Sequence, residues 1–437
     1  MKNIKKSIYG VTDALVLPIL MLVAMPVFLS YLGVTGFATW VLINSVVATL
    51  SVFNFGGTEV ITKFISSYRG GNVKHTTNDV FSTVFFFQAM VLLVIYGLFL
   101  ITAPFINQLI ASDNLLRFVD ILYFVVPMFF FKQSEQLLYA FLRGFEQFGR
   151  VMVVSTISKV LFLSVQIVVA IQTESIKDVF FGALIISALL FLLQVVYIKA
   201  LHGNGISFSG ANVKTAKSLL NFGGWNWLSS LVTMLKGESD KWLVSGLLGL
   251  KTFGIYSIGI LVFNQLYAIV VWSVYWVFPS ISKGGDDKAI LASRYWKLLF
   301  SVSILSIFIS VTLENLGALF ELWLGVEFYQ SSQYYISTFL ILFPVFTMTI
   351  ASYLYLLGLG LVKQKFFTDA IVLIVKIVTI WLVIDVFKIE EWALFFMVFI
   401  SVEYIIYSII ISRNLPINFV YLITFFLLQV IIVLIRI

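Results

Sequence analysis

Leu219 to Ser257 reads LLNFGGWNWLSSLVTMLKGESDKWLVSGLLGLKTFGIYS, and the fold is decided by how this stretch is read. Its middle sets four charged residues, Lys236, Glu238, Asp240 and Lys241, into a run that otherwise has the length and apolarity of a membrane span. Its end restarts a pattern used near the N-terminus. Tyr31-Leu32-Gly33 followed by Phe37 becomes Leu247-Leu248-Gly249 followed by Phe253, 216 residues later. That is about half of the 437 residues, so the second half reads as a copy of the first, starting here.

Composition fixes the solvent around this pattern. Hydrophobic residues make up 61% of the chain and charged residues 11%, with a mean hydropathy of +1.04. Soluble domains are about one quarter charged. Apolar runs of about 20 residues, the length a helix needs to cross the hydrocarbon core, recur throughout. The expectation is an all-α polytopic membrane protein with no separate soluble domain. The first run follows Lys2, Lys5 and Lys6 with no small-residue cleavage site, so it reads as a retained span rather than a signal peptide. There is no cysteine, which leaves no disulfide to consider. The net charge of +7 does not require nucleic acid, because the excess falls in short connections on one side.

Spans are expected at 10–32, 37–57, 80–102, 118–141, 151–171, 177–199, 218–248, 253–277, 295–316, 334–357, 365–387, 391–412 and 417–436. The even connections collect the cations: Lys63, Arg69 and Lys74; Arg143 and Arg150; Lys199, Lys214 and Lys217; Lys283, Lys288, Arg294 and Lys297; Lys363 and Lys365. The odd ones are short or acidic, which places the N-terminus in the cytoplasm. At the same shift of 216, Ile65-Ser66 falls on Ile281-Ser282, Leu138-Tyr139 on Leu354-Tyr355, Gly144 on Gly360 and Phe180 on Phe396. An even number of spans separates the copies, so the halves share one orientation, a parallel repeat about an axis along the membrane normal. The domains are then a six-helix lobe at 1–200, a cytoplasmic linker at 201–217, a second six-helix lobe at 218–412 and an additional helix at 413–437. The last has no counterpart in the first half.

Charges inside spans are costly in lipid and face a bundle interior or a watery cavity. Lys159 and Lys376 sit near mid-span in corresponding places, without an acid one turn away, and two such ammonium groups suit a phosphate or pyrophosphate. Lys132 and Glu135 are spaced to neutralise each other, as are Lys236 with Asp240 and Glu238 with Lys241. That quartet reads as a network within one helix or as part of a binding site. Glu403 can satisfy Lys376 from the next helix. Asp13, near the start of the first span, is a helix-start carboxylate or an ion-coupling group. Pro18, Pro26, Pro127, Pro279 and Pro344 can kink spans. Trp225, Trp227, Trp242, Trp272 and Trp276 suit an interfacial belt, or less readily sugar stacking. The histidines, His75 and His202, lie in separate connections and read as solvated. No phosphate-binding Gly-rich loop is present, and no cofactor or metal is expected.

Three segments carry a family resemblance: Asp240 through Leu248-Gly249 to Phe253-Gly254-Ile255-Tyr256; Leu142-Arg143-Gly144-Phe145-Glu146-Gln147; and Phe55-Gly56-Gly57 through Ile61 and Phe64. Over about residues 5–412 the chain resembles the Wzx-type polysaccharide (O-antigen) flippases of the multidrug/oligosaccharidyl-lipid/polysaccharide exporter superfamily. The resemblance implies a two-lobe transporter, not an enzyme. It implies outward movement of an undecaprenyl-pyrophosphate-linked oligosaccharide across the bacterial plasma membrane, the headgroup entering a cytoplasm-open cleft between rocking lobes. Lys159 and Lys376, with Lys132, Lys236 and Lys241, would attract the pyrophosphate. Asp240, Glu238, Glu403 or Asp13 would couple an ion or gate. Membrane lipids, a polysaccharide polymerase and chain-length proteins are the implied partners, with no nucleic acid. An extra span departs from the usual twelve. A drug or cation antiporter of the same fold remains the alternative, and would want uncompensated acids instead of lysines. A membrane polymerase would need a large outer loop that is absent.

Overall fold

The computed structural model describes residues 2–54, 57–69, 77–109, 113–202, 213–275, 277, 281, 287–383 and 392–436. Only the backbone is described for 2–11, 59, 63, 67–69, 105–109, 113–118, 213–226, 382–383 and 392–397. His75, Trp276, Pro279, Ser282, Lys283 and most of the expected linker fall outside these residues, as do the side chains of Lys63, Lys214, Lys217, Trp225 and Phe396. Among the described residues there are thirteen helices and no strand. They are α1 Lys2–Leu50, α2 Gly57–Arg69, α3 Thr77–Leu109, α4 Asp113–Gly144, α5 Phe148–Thr173, α6 Ile176–His202, α7 Val213–Val274, α8 Lys288–Glu314, α9 Gly317–Leu324, α10 Val326–Gly358, α11 Val362–Val383, α12 Trp392–Asn414 and α13 Phe419–Arg436. Eight described helices are long and apolar enough to cross a membrane. Exposed Leu322, Trp381 and Ile435 fit a lipid surrounding better than water.

Two of the helices hold two expected spans each. α1 breaks at Gly33 (φ 67°, ψ 177°) and α7 at Gly249 (φ 80°, ψ 165°), 216 residues apart. Backbone in this region is essentially restricted to glycine. A Cβ at either position would meet nothing within 4 Å, so the constraint is conformational rather than one of space. The Leu-Gly pattern thus marks a break inside each long helix.

The chain divides into two compact units, one of Met1–Leu20 with Ser30–Ser230, the other of Met21–Leu29 with Leu231–Ile437. In the first, the connection expected after the second span is instead the short amphipathic α2. Ile61 and Ile65 are fully buried against α4, in a cluster with Phe81, Leu137, Phe141 and Val151. Thr62 and Ser66 hydroxyls donate to the Ala140 and Gly144 carbonyls at 3.2 and 3.3 Å. A Cβ on Gly144 would stand 2.7 Å from the Ile65 Cβ, so only glycine allows this approach. The following turn is a helix cap: Glu146 is left-handed (φ 58°) and the Gln147 N–H donates to the Leu142 carbonyl at 3.0 Å. The Trp227 indole N–H donates to the Val52 carbonyl at 2.7 Å.

In the second unit the same cap follows α10. Gly360 is left-handed (φ 74°), the Leu361 N–H reaches the Leu356 carbonyl at 2.8 Å, and a Cβ on Gly358 would stand 2.7 Å from the Ile281 Cβ. By geometry Gly144 therefore matches Gly358, a shift of 214 rather than the expected 216, and Gly360 matches Glu146. The register slips because close packing and the cap, not glycine identity, define the turn.

α10 is the centre of this unit, buried along most of its length. The Tyr355 hydroxyl donates to the Leu291 carbonyl of α8 at 3.0 Å, and Tyr295 and Ser352 hydroxyls meet at 2.8 Å. The short α9 returns the Trp323 indole N–H to the Leu22 carbonyl at 3.1 Å, which Pro26 four residues on cannot satisfy. The additional C-terminal helix α13 lies against α8 and α12, through Phe425–Phe300 and Phe426–Tyr404 ring contacts of 4.7 Å each and an Arg436–Glu314 ion pair.

Candidate functional site

In the first unit, four helices contribute to one polar group. Lys159 of α5 is not unpaired, as its sequence neighbours suggested. Its ammonium donates to the Asp13 carboxylate at 2.6 Å and to the Asp13 main-chain carbonyl at 2.7 Å. Lys132 of α4 meets Glu135 at 3.4 Å, as its spacing predicts, and lies 3.9 Å from the Phe162 ring centroid. The Ser158 hydroxyl donates to the same Glu135 oxygen at 2.9 Å. The other Glu135 oxygen is buried, with no hydrogen-bond partner among the described residues. Gln194 of α6 donates to the Tyr139 hydroxyl at 3.0 Å.

The second unit repeats the clamp with different residues. Lys376 of α11 donates to the Asp240 carboxylate at 2.6 Å and to the Lys236 carbonyl at 2.8 Å, so it too is paired. The Tyr256 hydroxyl donates to the other Asp240 oxygen at 3.1 Å. Of the pairs expected within α7, Glu238–Lys241 forms at 2.7 Å, and Lys236–Asp240 does not. Lys236 instead reaches Asp369 and Glu403, at 2.7 Å each. Glu403 therefore answers Lys236, not Lys376. Asp240 and Lys236 part because each finds a partner of opposite sign on a neighbouring helix, at better geometry than one turn of helix offers.

Asp369 holds this second group together, and the sequence reading overlooked it. It is fully buried. It takes Lys236 on one oxygen, and Lys365 (2.6 Å) and Thr233 (2.8 Å) on the other. Lys365 is not a loop cation: it is buried and also donates to Thr233 at 2.8 Å. The signal was present: Lys365, Asp369 and Lys376 are spaced by four and seven residues, which is one helix face. His202 is likewise not a solvated loop residue. It packs against Phe145 at 4.7 Å and contacts Gln147 at 3.3 Å, closing on the turn after α4.

Together, Lys132, Lys159, Lys236, Lys241, Lys365 and Lys376 face Asp13, Glu135, Glu238, Asp240, Asp369 and Glu403. Each group has as many acids as lysines. The pairs differ in openness. Lys159 and Asp13 keep 24% and 15% of their side-chain surface, against 7% and 2% for Lys376 and Asp240.

The family described as polysaccharide biosynthesis protein matches residues 71–333, well over half of the chain. A Shigella flexneri protein named, provisionally, an O-antigen transporter is 24% identical over 348 residues, 78% of this chain and 81% of that one. Among solved structures, an inward-facing multidrug-resistance MATE family transporter of the MOP superfamily superposes with a TM-score of 0.65 at 14% identity, covering 94% of this chain and 95% of that one. The MATE multidrug transporter DinF-BH gives 0.61 at 16% identity, with 94% of each chain covered. A MOP superfamily transporter from Pyrococcus furiosus, described as having a binding pocket of reversed polarity, gives 0.57 at 13% identity, covering 92% and 96%. These likenesses show a shared helical fold. The chain belongs to the polysaccharide biosynthesis protein family, on the fold of the MOP superfamily transporters.

Proposed function

We propose that this protein is a flippase that carries an undecaprenyl-pyrophosphate-linked oligosaccharide, an O-antigen or similar surface polysaccharide unit, from the cytoplasmic to the outer leaflet of the bacterial inner membrane. The N-terminus is cytoplasmic in this reading, and transport is by alternating access. The observation that carries it is family membership over residues 71–333, supported by the name of the Shigella flexneri relative. The physical demands agree. A diphosphate headgroup needs cations held inside the bilayer, where each costs several kcal/mol unless paired or hydrated. Lys159 and Lys132, the more open of the ammonium groups in the first unit, would meet the pyrophosphate first; Lys236, Lys241 and Lys376 serve the second unit. Asp13, Asp240, Glu238 and Glu403 are the groups through which an ion could be coupled. The prenyl chain stays in lipid.

The same fold in drug transporters favours a cation antiporter as the second reading. The charge count weighs against it. An organic cation would need an acid without a lysine, and the six acids named above each face one.

The test is leaflet exchange in proteoliposomes, read by enzymatic access to the sugar from outside. The protein should accelerate it, and Lys159→Ala should abolish the gain while still inserting at wild-type yield. A Lys159→Ala protein that transports normally would remove that lysine from the site.

A further inference from the structure

Of the two lysine–aspartate pairs that join helices in matching places of the two units, Lys159–Asp13 is more open than Lys376–Asp240. Asp369 is bound by two lysines and a threonine, and Asp240 by a lysine and a tyrosine. Asp13 receives its ammonium from Lys159, on one oxygen, with both side chains partly open. Lys159 sits near the middle of α5 and keeps 24% of its side-chain surface, and an ammonium there cannot turn its open side to hydrocarbon. The open side therefore faces a polar space. Lys132 lies within electrostatic reach of Lys159, is itself 22% exposed, and has the longest ion-pair contact of the set at 3.4 Å. Two ammonium groups from adjacent helices, one clasped by a removable carboxylate and one weakly tethered, match an anion that carries charge on two phosphates.

Resting on the flippase reading, we propose that Asp13 is a built-in competitor: its carboxylate occupies Lys159 in the empty protein, the pyrophosphate of the headgroup displaces it, and its return expels the headgroup. A carboxylate oxygen and a phosphate oxygen ask the same of an ammonium, a short charge-assisted hydrogen bond. Two bare lysines would bind a diphosphate tightly and release it slowly. An internal anion lowers the affinity to a level at which cargo can leave. The second contact of Lys159, to the Asp13 main-chain carbonyl, stays in place during the exchange and keeps α5 registered on α1. In the second unit the corresponding pair is shut, with Lys376 7% exposed and Tyr256 on the other Asp240 oxygen. It is a clamp and not an exchanger.

The experiment measures binding of inorganic pyrophosphate and of undecaprenyl pyrophosphate to the full chain in nanodiscs, beside sugar export in proteoliposomes. Asp13→Asn removes the charge and keeps the carbonyl; affinity should tighten about tenfold or more, as close charge pairs couple that strongly, and export should slow. The gain should vanish in Asp13→Asn with Lys159→Gln. Asp240→Asn should lower stability without tightening binding. Asp13→Ser repeats the test should the asparagine variant fail to accumulate. Unchanged or weaker affinity in both Asp13 variants, with wild-type export intact, overturns the competitor. Failure of the wild-type protein to export the lipid-linked sugar overturns the flippase reading instead.

Discussion

Lys376 is almost closed off, between a carboxylate on one side and a main-chain carbonyl on the other. Its positive charge is tolerable because the Asp240 carboxylate offsets it, and that carboxylate's charge is tolerable because the lysine does the same. Removing one partner leaves the other as an uncompensated buried charge, which costs about 3–5 kcal/mol, more than the pair itself contributes. Lys376→Met is therefore expected to lower the thermal unfolding temperature strongly. A second change, Asp240→Asn, should recover a large part of the loss. Equal destabilisation by the double variant would mean that the charge pair is not what the lysine serves. The partners of such lysines were out of reach of the sequence. Lys376 and Asp240 are 136 residues apart, Lys236 and Glu403 167. A lone lysine in a span signals that a partner or a cavity exists, not which. Lys132–Glu135, Glu238–Lys241 and Lys365–Asp369, each one turn apart on a single helix, are legible from spacing, and the third escapes a reading that places Lys365 among the loop cations.

At the scale of the element, the breaks at Gly33 and Gly249 interrupt two very long helices where the sequence sets the end of one expected span and the start of the next. Both were visible as a repeated Leu-Gly pattern, because a backbone conformation only glycine takes easily leaves a residue signature. The short helices α2 and α9 were not visible. They lie in connections whose cations and acids read as loop, and their burial against α4 and α10 is a tertiary fact. The turn after α4 was recognised as a motif, but its counterpart was set two residues off, since the cap accepts Glu146 in one half and Gly360 in the other. Gly249→Ala should cost about 1–3 kcal/mol, and Gly33→Ala a similar amount, measured as thermal unfolding in detergent. No steric relief is available, because neither site is crowded. Variants as stable as the wild-type protein would show that the break is not a backbone requirement.

Across the whole molecule, membrane residence and helical class follow directly from composition, since 61% hydrophobic residues leave no other solvent. We infer a parallel repeat from geometry that recurs in each unit: a glycine break, a lysine clamp onto the lobe's first helix, and a capped turn against an isoleucine. The excess of buried lysine that first pointed to an anion proved to be balanced, acid for lysine. In the proposed exchange, affinity for a lipid pyrophosphate comes from displacing a carboxylate, and the proposed sugar-lipid transport rests on family membership with the charge balance as its constraint. The most direct measurement follows two cargoes in one proteoliposome preparation, an undecaprenyl-pyrophosphate oligosaccharide and a cationic dye, with and without an ion gradient. The account predicts movement of the lipid-linked sugar and none of the dye. Gradient-driven dye export with the sugar lipid left in its leaflet would contradict it.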